Sequence, residues 1–460
     1  MTDKSTPIAV VVLAAGQGTR MRSDIPKVLQ PMAGQPLLAH VLDLATQLNA
    51  AKTVVVYGHG GDLVREHFPA PELGWALQAE QLGTGHAVQQ AMPQIEDDAR
   101  VLVLCGDVPL LTSASVQRLI DDTAVTSVGV LTVAMDDPTG YGRIVRDANG
   151  RVVKIVEQKD GSPEELAVRE INSGVFVVPS KQLCGWLDAL QPQNAQGEYY
   201  LTDIVGLAVA DGVSVEGIQA DGFEEIMGIN DRVQLAAAER VYQRRAVDVL
   251  MRAGARVADP ARVDIRGQVT TGRDVFIDVN AVFVGDVTLG DRVQIGPNCV
   301  VTDSTIGDDT VVLANCVLES ASVGAACNIG PYARLRPGSD LSERAKVGNF
   351  VEIKKSHIGV GSKVNHLTYI GDATIGADVN VGAGTITCNY DGANKHQTVI
   401  GDGAFIGSGV ELVAPVNIGS GATIGAGSTI TKPAPDDVLT LERARQTSIK
   451  NWQRPVKKPK

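Results

Sequence analysis

From Ile277 to Ile430 an aliphatic residue returns about every sixth position. Val323, Ile329, Leu335, Leu341, Val347 and Ile353 form one run in unbroken register, and Ile400, Ile406, Leu412, Ile418, Ile424 and Ile430 form another. A helix repeats about every 3.6 residues and a simple strand about every 2, so a six-residue period belongs to neither. It predicts a left-handed parallel β-helix of hexapeptide repeats, each giving one short strand and one corner, with roughly 18 residues per coil. The aliphatic side chain points inward and the following glycine or small residue makes the corner, as in I-G-S-G-A-T at 418–423. Five-residue steps, Val301 to Ile306 and Ile370 to Ile375, read as tightened corners. After Val381-Gly382-Ala383-Gly384 the segment C-N-Y-D-G-A-N-K-H-Q-T at 388–398 lacks the repeat. An insertion into a stack must leave it as a loop, and loops on rigid scaffolds are where sites are built.

Residues 7–229 follow another pattern. The apolar runs I-A-V-V-V-L at 8–13, T-V-V-V-Y at 53–57, V-L-V-L-C at 101–105, S-V-G-V-L-T-V at 127–133 and G-V-F-V-V at 174–178 are separated by helix-length segments. Fully apolar strands of this kind predict a mostly parallel sheet covered on both faces, a Rossmann-like α/β domain that binds ligands at the carboxyl ends of its strands. Residues 231–253 hold no Gly or Pro, with Asn230 or Asp231 to cap them and Gly254 to end them. They predict one linker helix of roughly 35 Å. The chain is therefore expected to be α/β plus all-β, with domains at 1–229 and 255–460 joined by a helix at 230–254.

A length of 460 residues agrees with two or three domains, and an aromatic content of 4% suits a solenoid with little room for rings. The net charge of −12 argues against nucleic acid or a membrane surface as partner, so phosphate ligands would have to meet local Lys/Arg clusters. Six cysteines without C-x-x-C spacing fit a reducing, cytoplasmic setting. The apolar run Ile8–Ala15 is too short to cross a bilayer and reads as a buried strand. The basic end R-P-V-K-K-P-K at 454–460 reads as a solvated terminus.

Candidate chemistry begins directly after the first strand. In L-A-A-G-Q-G-T-R-M at 13–21 the glycines let backbone N–H groups approach a polyphosphate, and Arg20 and Lys27 supply positive charge. The dinucleotide fingerprint is absent, since no third glycine and no acidic residue after the second strand complete it. Gly106-Asp107 follows the strand at 101–105, where an acidic residue can either cap a helix or serve a site. With these stand Q-A-E-Q-L-G-T-G-H-A at 78–87, Y-G-R-I at 141–144, V-E-Q-K-D at 156–160, E-I-N-S-G at 170–174 and G-I-N-D-R at 228–232. In the solenoid Arg336, Glu352, Lys354, His366, Tyr369, Asn380, Asn389, Tyr390 and Lys395 are residues that a regular coil does not need.

Together these motifs resemble the sugar-nucleotide pyrophosphorylases. With the helix, the solenoid and the 388–395 loop, the resemblance extends over essentially the full chain to the bifunctional bacterial uridylyltransferase/acetyltransferase family that makes UDP-N-acetylglucosamine. The resemblance implies a nucleotidyltransferase domain in which Leu13, Ala14, Ala15, Gly16, Lys27, Gln78, Gly83, Thr84 and the Cys105-Gly106-Asp107 turn bind UTP. Within that set Gln78 and Gly83-Thr84 would read the uracil. Gly142, Glu157 and Asn172 would hold the sugar, and Asp107 with Asn230 would ligate Mg²⁺. The family usually carries an aromatic residue at Cys105, where a buried neutral thiol is expected instead. Arg20 and Lys27 would neutralise the departing pyrophosphate.

In the solenoid the resemblance implies His366 as general base toward the amine of glucosamine 1-phosphate, with acetyl-CoA as acyl donor; Glu352 is the candidate for orienting or supporting the imidazole. Arg336, Lys354 and Lys395 would bind the sugar phosphate, and Tyr369 and Asn380 the sugar. Ala383, Asn389, Tyr390, Ser408, Ala426 and Arg443 would contact acetyl-CoA. N-acetylglucosamine 1-phosphate would then take a uridylyl group from UTP. A homotrimer is expected, with neither nucleic-acid binding nor membrane insertion. Two other readings are a pyrophosphorylase of the ADP-glucose type, whose shorter solenoid does no chemistry, and a scaffold subunit without activity. His366 with the 388–398 loop argues against the first, and Gly16, Gly18, Arg20, Lys27, Asp107 and Asn230 against the second.

Overall fold

A computed structural model describes residues 6–16, 18–58 and 60–457. Contacts divide the chain into two compact units, Met1–Tyr242 and Gln243–Lys460.

The first unit is built on a nine-stranded sheet. Its main path uses β1 (Ile8–Leu13), β2 (Lys52–Tyr57), β3 (Leu73–Leu77), β4 (Arg100–Cys105), β5 (Val128–Ala134), β6 (Glu170–Pro179) and β7 (Val215–Gln219), in the order β7-β5-β6-β4-β1-β2-β3. β1 pairs parallel with both β4 and β2, while β6 runs antiparallel to β4 and β5. Successive residues of each strand serve opposite layers. Val11, Val54, Val56, Val101 and Val103 enter one core cluster, and Val10, Val12, Val55, Leu102 and Leu104 the other. Both faces are covered, which is why these strands read as unbroken apolar runs. The register Leu13↔Val56 and Leu13↔Cys105 brings the carboxyl ends of β1, β2 and β4 level. The strand order reverses at β1, the place where open α/β sheets leave a crevice for ligand.

Helix α1 (Thr84–Ala91) follows β3 closely, and the helix Arg232–Arg252, here α2, spans 21 residues. Asp231 caps α2, its Oδ1 accepting from the backbone N–H of Val233 at 2.9 Å and of Gln234 at 2.8 Å. Gly254 at φ +111° ends it, donating its N–H to Met251 O at 3.1 Å. Among the described residues no helix is long and apolar enough to cross a membrane.

The second unit is a parallel β-helix whose 26 strands form one continuous ladder. One column of inward residues runs Ile277, Ile295, Val312, Ile329, Val347, Val364, Val381, Ile406 and Ile424, each in register with the next. All are buried in a single core cluster. Stacking like residues coil upon coil is what the hexapeptide period encodes. The step from Val381 to Ile406 is longer than its neighbours because residues 389–397 leave the stack between the strands Ile386–Cys388 and Thr398–Ile400. That excursion is pinned at its base by a bridge between Tyr390 and Lys395. One edge of the coil is turned by residues in the left-handed region: Asn280, Asn298, Asn315, Tyr332, Phe350, Leu367, Gly384, Gly409 and Gly427. Past Thr440 the tail carries no helix or strand and is exposed, and residues 458–460 of its basic end lie outside the described residues.

Candidate active sites

At the carboxyl ends of β1, β3 and β4 lies a cavity of about 290 Å³. Its wall includes Leu13, Ala14, Ala15, Gly16, Lys27, Gln78, Gly83, Thr84, Cys105 and Asp107, and so gathers most of the residues expected to hold a nucleotide. Gly106 sits behind them, donating its N–H to Leu13 O at 2.9 Å. Gly18 adopts φ +60°, and a Cβ there would come within 2.6 Å of Lys27 Cβ, so the glycine is what lets the loop lie against Lys27. The Lys27 ammonium donates to Asp107 Oδ2 and, at 3.2 Å, to Asn230 Oδ1. Ile229 N–H donates to Asp107 O at 2.9 Å and holds the Asn230 segment against this turn.

A carboxylate and an amide oxygen thus converge on one point of positive charge. Among the described residues no cluster of three or more His, Cys, Asp or Glu side chains could hold a metal. The oxygen donors Asp107 and Asn230 nevertheless fit a hard cation that keeps several of its waters. Cys105 is pushed up to about 12, by burial first and then by Asp107, against an opposing effect of Lys27, so the thiol is neutral as expected. Arg20 is exposed in a short 3-10 turn and does not line the cavity.

The expected sugar residues form a neighbouring group. Asn172 N–H donates to Gly142 O at 2.9 Å, and a Cβ on Gly142 would lie 3.3 Å from Glu157 Oε1. Glu157 Oε1 accepts from Thr202 Oγ1 at 3.0 Å. Burial raises the Glu157 carboxyl above its ordinary range, with Asp203 and Asp160 adding to the shift and the Thr202 hydroxyl opposing it.

In the solenoid His366 is exposed, and its Nδ1 lies 2.5 Å from Asn349 Oδ1 on the coil before. Glu352 does not support the imidazole in this chain: its Oε1 accepts from Arg336 Nη1 at 2.8 Å. The reason is register. Asn349 pairs with His366 and Glu352 with Tyr369, and the left-handed corners at Phe350 and Leu367 separate the two levels. Past that corner Arg336, Glu352, Tyr369 and Asn389 meet. A Cβ on Gly371 would fall 2.3 Å from the Tyr369 hydroxyl and 2.8 Å from Asn389 Nδ2. Asn389 is buried and its amide donates to Asp372, so that group is committed to the base of the loop.

Four of the expected coenzyme contacts, Ala383, Ser408, Ala426 and Arg443, follow one edge upward from His366, whereas Asn389 and Tyr390 stand at the base of the excursion and not on that edge. Gly384 N–H donates to His366 O, Gly409 N–H to Ala383 O, Gly427 N–H to Ser408 O, and Arg443 Nη1 to Ala426 O. Lys395 Nζ rests over the Tyr390 ring, 4.3 Å from its centre, in the excursion. Asp391 lies well below the usual carboxylate range because it accepts from Asn394 N–H, His396 and Ala393 N–H. Lys354 ends its strand in register with Gly371, and Asn380 lies beside Lys363, so neither touches His366 through the ladder.

Residues not anticipated from the sequence also matter. Gln81 and Glu198 line the nucleotide cavity, and Gln81 Nε2 donates to Ala15 O. Gln81 stands in the same Q-A-E-Q-L-G-T-G run as Gln78, three positions on. Asn349 could have been found from His366 by counting back one 17-residue coil.

Fold and sites together define a nucleotidyltransferase continued by a hexapeptide-repeat transferase. Residues 10–180 match the MobA-like NTP transferase domain, 265–358 the GMPPB C-terminal domain, and 397–432 the bacterial transferase hexapeptide of six repeats. The bifunctional protein GlmU of Azoarcus sp. (strain BH72) is 57% identical over 97% of this chain and 99% of its own length. Its counterpart in Janthinobacterium sp. (strain Marseille) is 56% identical over the same shares, and that of Marinobacter nauticus 55% identical over 98% and 100%. The chain belongs to the GlmU family of bifunctional uridylyltransferase–acetyltransferases.

Proposed function

We infer that the two halves of this chain carry out consecutive steps toward UDP-N-acetylglucosamine, a precursor of peptidoglycan and lipopolysaccharide. Glucosamine 1-phosphate is acetylated from acetyl-CoA in the solenoid, and the product takes a uridylyl group from UTP in the first unit, releasing pyrophosphate. The observation that carries the second step is Lys27 held between Asp107 and Asn230 at the carboxyl ends of the strands.

The sugar phosphate is already an anionic nucleophile, so its attack on the α-phosphorus of UTP requires alignment and charge neutralisation rather than a general base. The N–H groups of Ala15 and Gly16 and the Lys27 ammonium would hold the polyphosphate, while Gly142, Glu157 and Asn172 would orient the sugar. Asp107 and Asn230 would hold Mg²⁺, which supplies further neutralisation of the phosphates when bound. In the acetyl transfer, Asn349 accepts the proton on His366 Nδ1 and leaves Nε2 free to take the proton of the attacking amine. Nitrogen then bonds to the acetyl carbon as the coenzyme leaves as thiolate. Arg336 and Lys354, with Lys395, are assigned to the sugar phosphate, and the edge from Ala383 through Ser408 and Ala426 to Arg443 to the coenzyme.

Tyr332, Phe350 and Leu367 are 51%, 56% and 63% exposed on one coil edge, with the Tyr332 and Phe350 rings stacked 5.2 Å apart. An apolar corner of this kind beside His366 supports assembly of the solenoids as a homotrimer. The unpaired cysteines and the soluble substrates support a cytoplasmic site of action. The test is to supply purified protein with glucosamine 1-phosphate, acetyl-CoA, UTP and Mg²⁺, omitting each in turn. UDP-N-acetylglucosamine should form only in the complete mixture, and omission of UTP alone should leave N-acetylglucosamine 1-phosphate. Coenzyme release without acetylated sugar, or nucleotide product without Mg²⁺, would contradict the assignment.

A further inference from the structure

Gln78 is 3% exposed and lines the nucleotide cavity. Its amide nitrogen donates to Gly83 O at 3.0 Å and lies 3.2 Å from His86 Nδ1. A carbonyl oxygen can only accept, so Gly83 O fixes the nitrogen end of the amide on its own side. The second amide proton then meets His86 Nδ1, which must act as acceptor and carry the ring proton on Nε2. With both protons so committed, Oε1 is the end of Gln78 left for a ligand. His86 stands on α1, half-buried, with its ring 6.5 Å from that of Tyr199, and does not itself line the cavity.

We propose that His86 is a specificity-determining positioning residue: it holds Gln78 with its carbonyl toward the base and so makes the cavity select uracil over cytosine. The proposal rests on reading this cavity as the UTP site. Uracil presents an N3–H donor to an acceptor, whereas cytosine presents the lone pair of N3 and would face Oε1 acceptor to acceptor. Turning the amide round to suit cytosine would set Oε1 against Gly83 O and leave Nδ1 of His86 without a donor. Gly83 itself adopts φ +119° with Tyr199 backbone 2.6 Å from any added Cβ, so the carbonyl that shares the amide cannot readily move.

The experiment measures pyrophosphate release from UTP and from CTP, with N-acetylglucosamine 1-phosphate, in the full-length protein and its variants. His86→Leu leaves one buried amide proton without an acceptor, and the UTP/CTP ratio of kcat/KM is expected to fall roughly tenfold. The loss should enter through KM for UTP, with kcat within about twofold of the parent. His86→Asn, whose Oδ1 can stand where Nδ1 stood, should restore the ratio, and His86→Gln, which reaches further, should not. That pair decides the matter even if the leucine variant does not fold. Gln78→Ala separates the two levels of the argument. If Gln78→Ala loses selectivity and the His86 variants keep it, the role of His86 is overturned while the UTP site stands. If neither loses selectivity, the reading of the cavity fails. An equal drop of kcat on both nucleotides, or no difference between the Asn and Gln variants, also overturns the proposal.

Discussion

Replacing Asn349 by alanine isolates what one side chain contributes to the acetyl-transfer base. Its Oδ1 lies 2.5 Å from His366 Nδ1 and accepts the proton that keeps Nε2 free. A single neutral hydrogen bond at a partly exposed position is worth about 1 kcal/mol, or roughly fivefold in rate. Loss of the base itself should cost roughly 10²–10⁴-fold. Asn349→Ala should therefore lower acetyl transfer by roughly 5–10-fold, far less than His366→Ala, and should leave uridylyl transfer untouched. The assay is release of coenzyme thiol from acetyl-CoA with saturating glucosamine 1-phosphate, with pyrophosphate release as the control.

The two changes should not add, because Asn349 acts only through the imidazole. In a His366→Ala background, Asn349→Ala should have almost no further effect. Asn349→Asp should move the rising limb of the pH–rate profile to higher pH, because a carboxylate favours the protonated imidazole. Unaltered acetyl transfer in Asn349→Ala, or the same drop with and without His366, would refute the reasoning.

Asp107→Ala should lower uridylyl transfer at least about 10²-fold at any Mg²⁺ concentration, since it removes one of the charges that organise the phosphates; acetyl transfer measured in the same sample should be normal. Gly83→Ala forces a Cβ to 2.6 Å from Tyr199 O and 2.7 Å from its N at φ +119°, a backbone clash that no rotamer relieves. It should raise KM for UTP and lower the melting temperature by about 2–4 °C for each kcal/mol of strain, with the strain of order 1–3 kcal/mol. Glu157→Gln should raise KM for N-acetylglucosamine 1-phosphate roughly 10–100-fold if the carboxylate hydrogen-bonds the sugar. The same change should stabilise the fold at neutral pH. Burial raises the Glu157 carboxyl from its ordinary 4.5, so its contribution to stability is present below that value and lost as pH rises through the folded one. The melting temperatures of parent and variant should converge near pH 4 and separate above it, and a gap independent of pH would count against this account.

Much of this was legible in the chain because the solenoid writes its geometry into its period. The residues of the column from Ile277 to Ile424 are spaced so that each falls on the one before, and the excursion at 389–397 appears as a break in that spacing. The phosphate loop and Asp107 were visible because strand ends in a parallel sheet mark themselves by where the apolar runs stop. Other features depend on what the sequence does not state. β3, with L-G-W-A-L, is an edge strand of short length whose identity is set by pairing with β2 rather than by its own pattern. Support for His366 is expected from Glu352 on the sequence alone. The corners at Phe350 and Leu367 decide otherwise, and their phase follows from the fold rather than from residue type. Arg20 shows the converse. Its charge marks the motif, yet a left-handed turn at Gly18 carries it to the surface.

The left-handed edge of the solenoid changes its residues along its length in step with the chemistry proposed beside it. Its early corners use Asn280, Asn298 and Asn315, the non-glycine type that tolerates this conformation best. Its last ones use Gly384, Gly409 and Gly427. Between them stand Tyr332, Phe350 and Leu367, for which a left-handed backbone costs about 1–2 kcal/mol each. Phe350 directly follows Asn349 and Leu367 directly follows His366, so the strain sits beside the proposed base and its partner. Glycine or asparagine at these corners would relieve it, as at the other corners of the same edge. The glycine corners follow Ala383, Ser408 and Ala426. At Gly409 and Gly427 an added Cβ would meet nothing within 4 Å, so close packing within the chain does not explain them. In the proposed assignment that bare edge leaves room for a long, narrow acyl carrier to lie against the backbone toward Arg443, since no side chain stands between them at these corners.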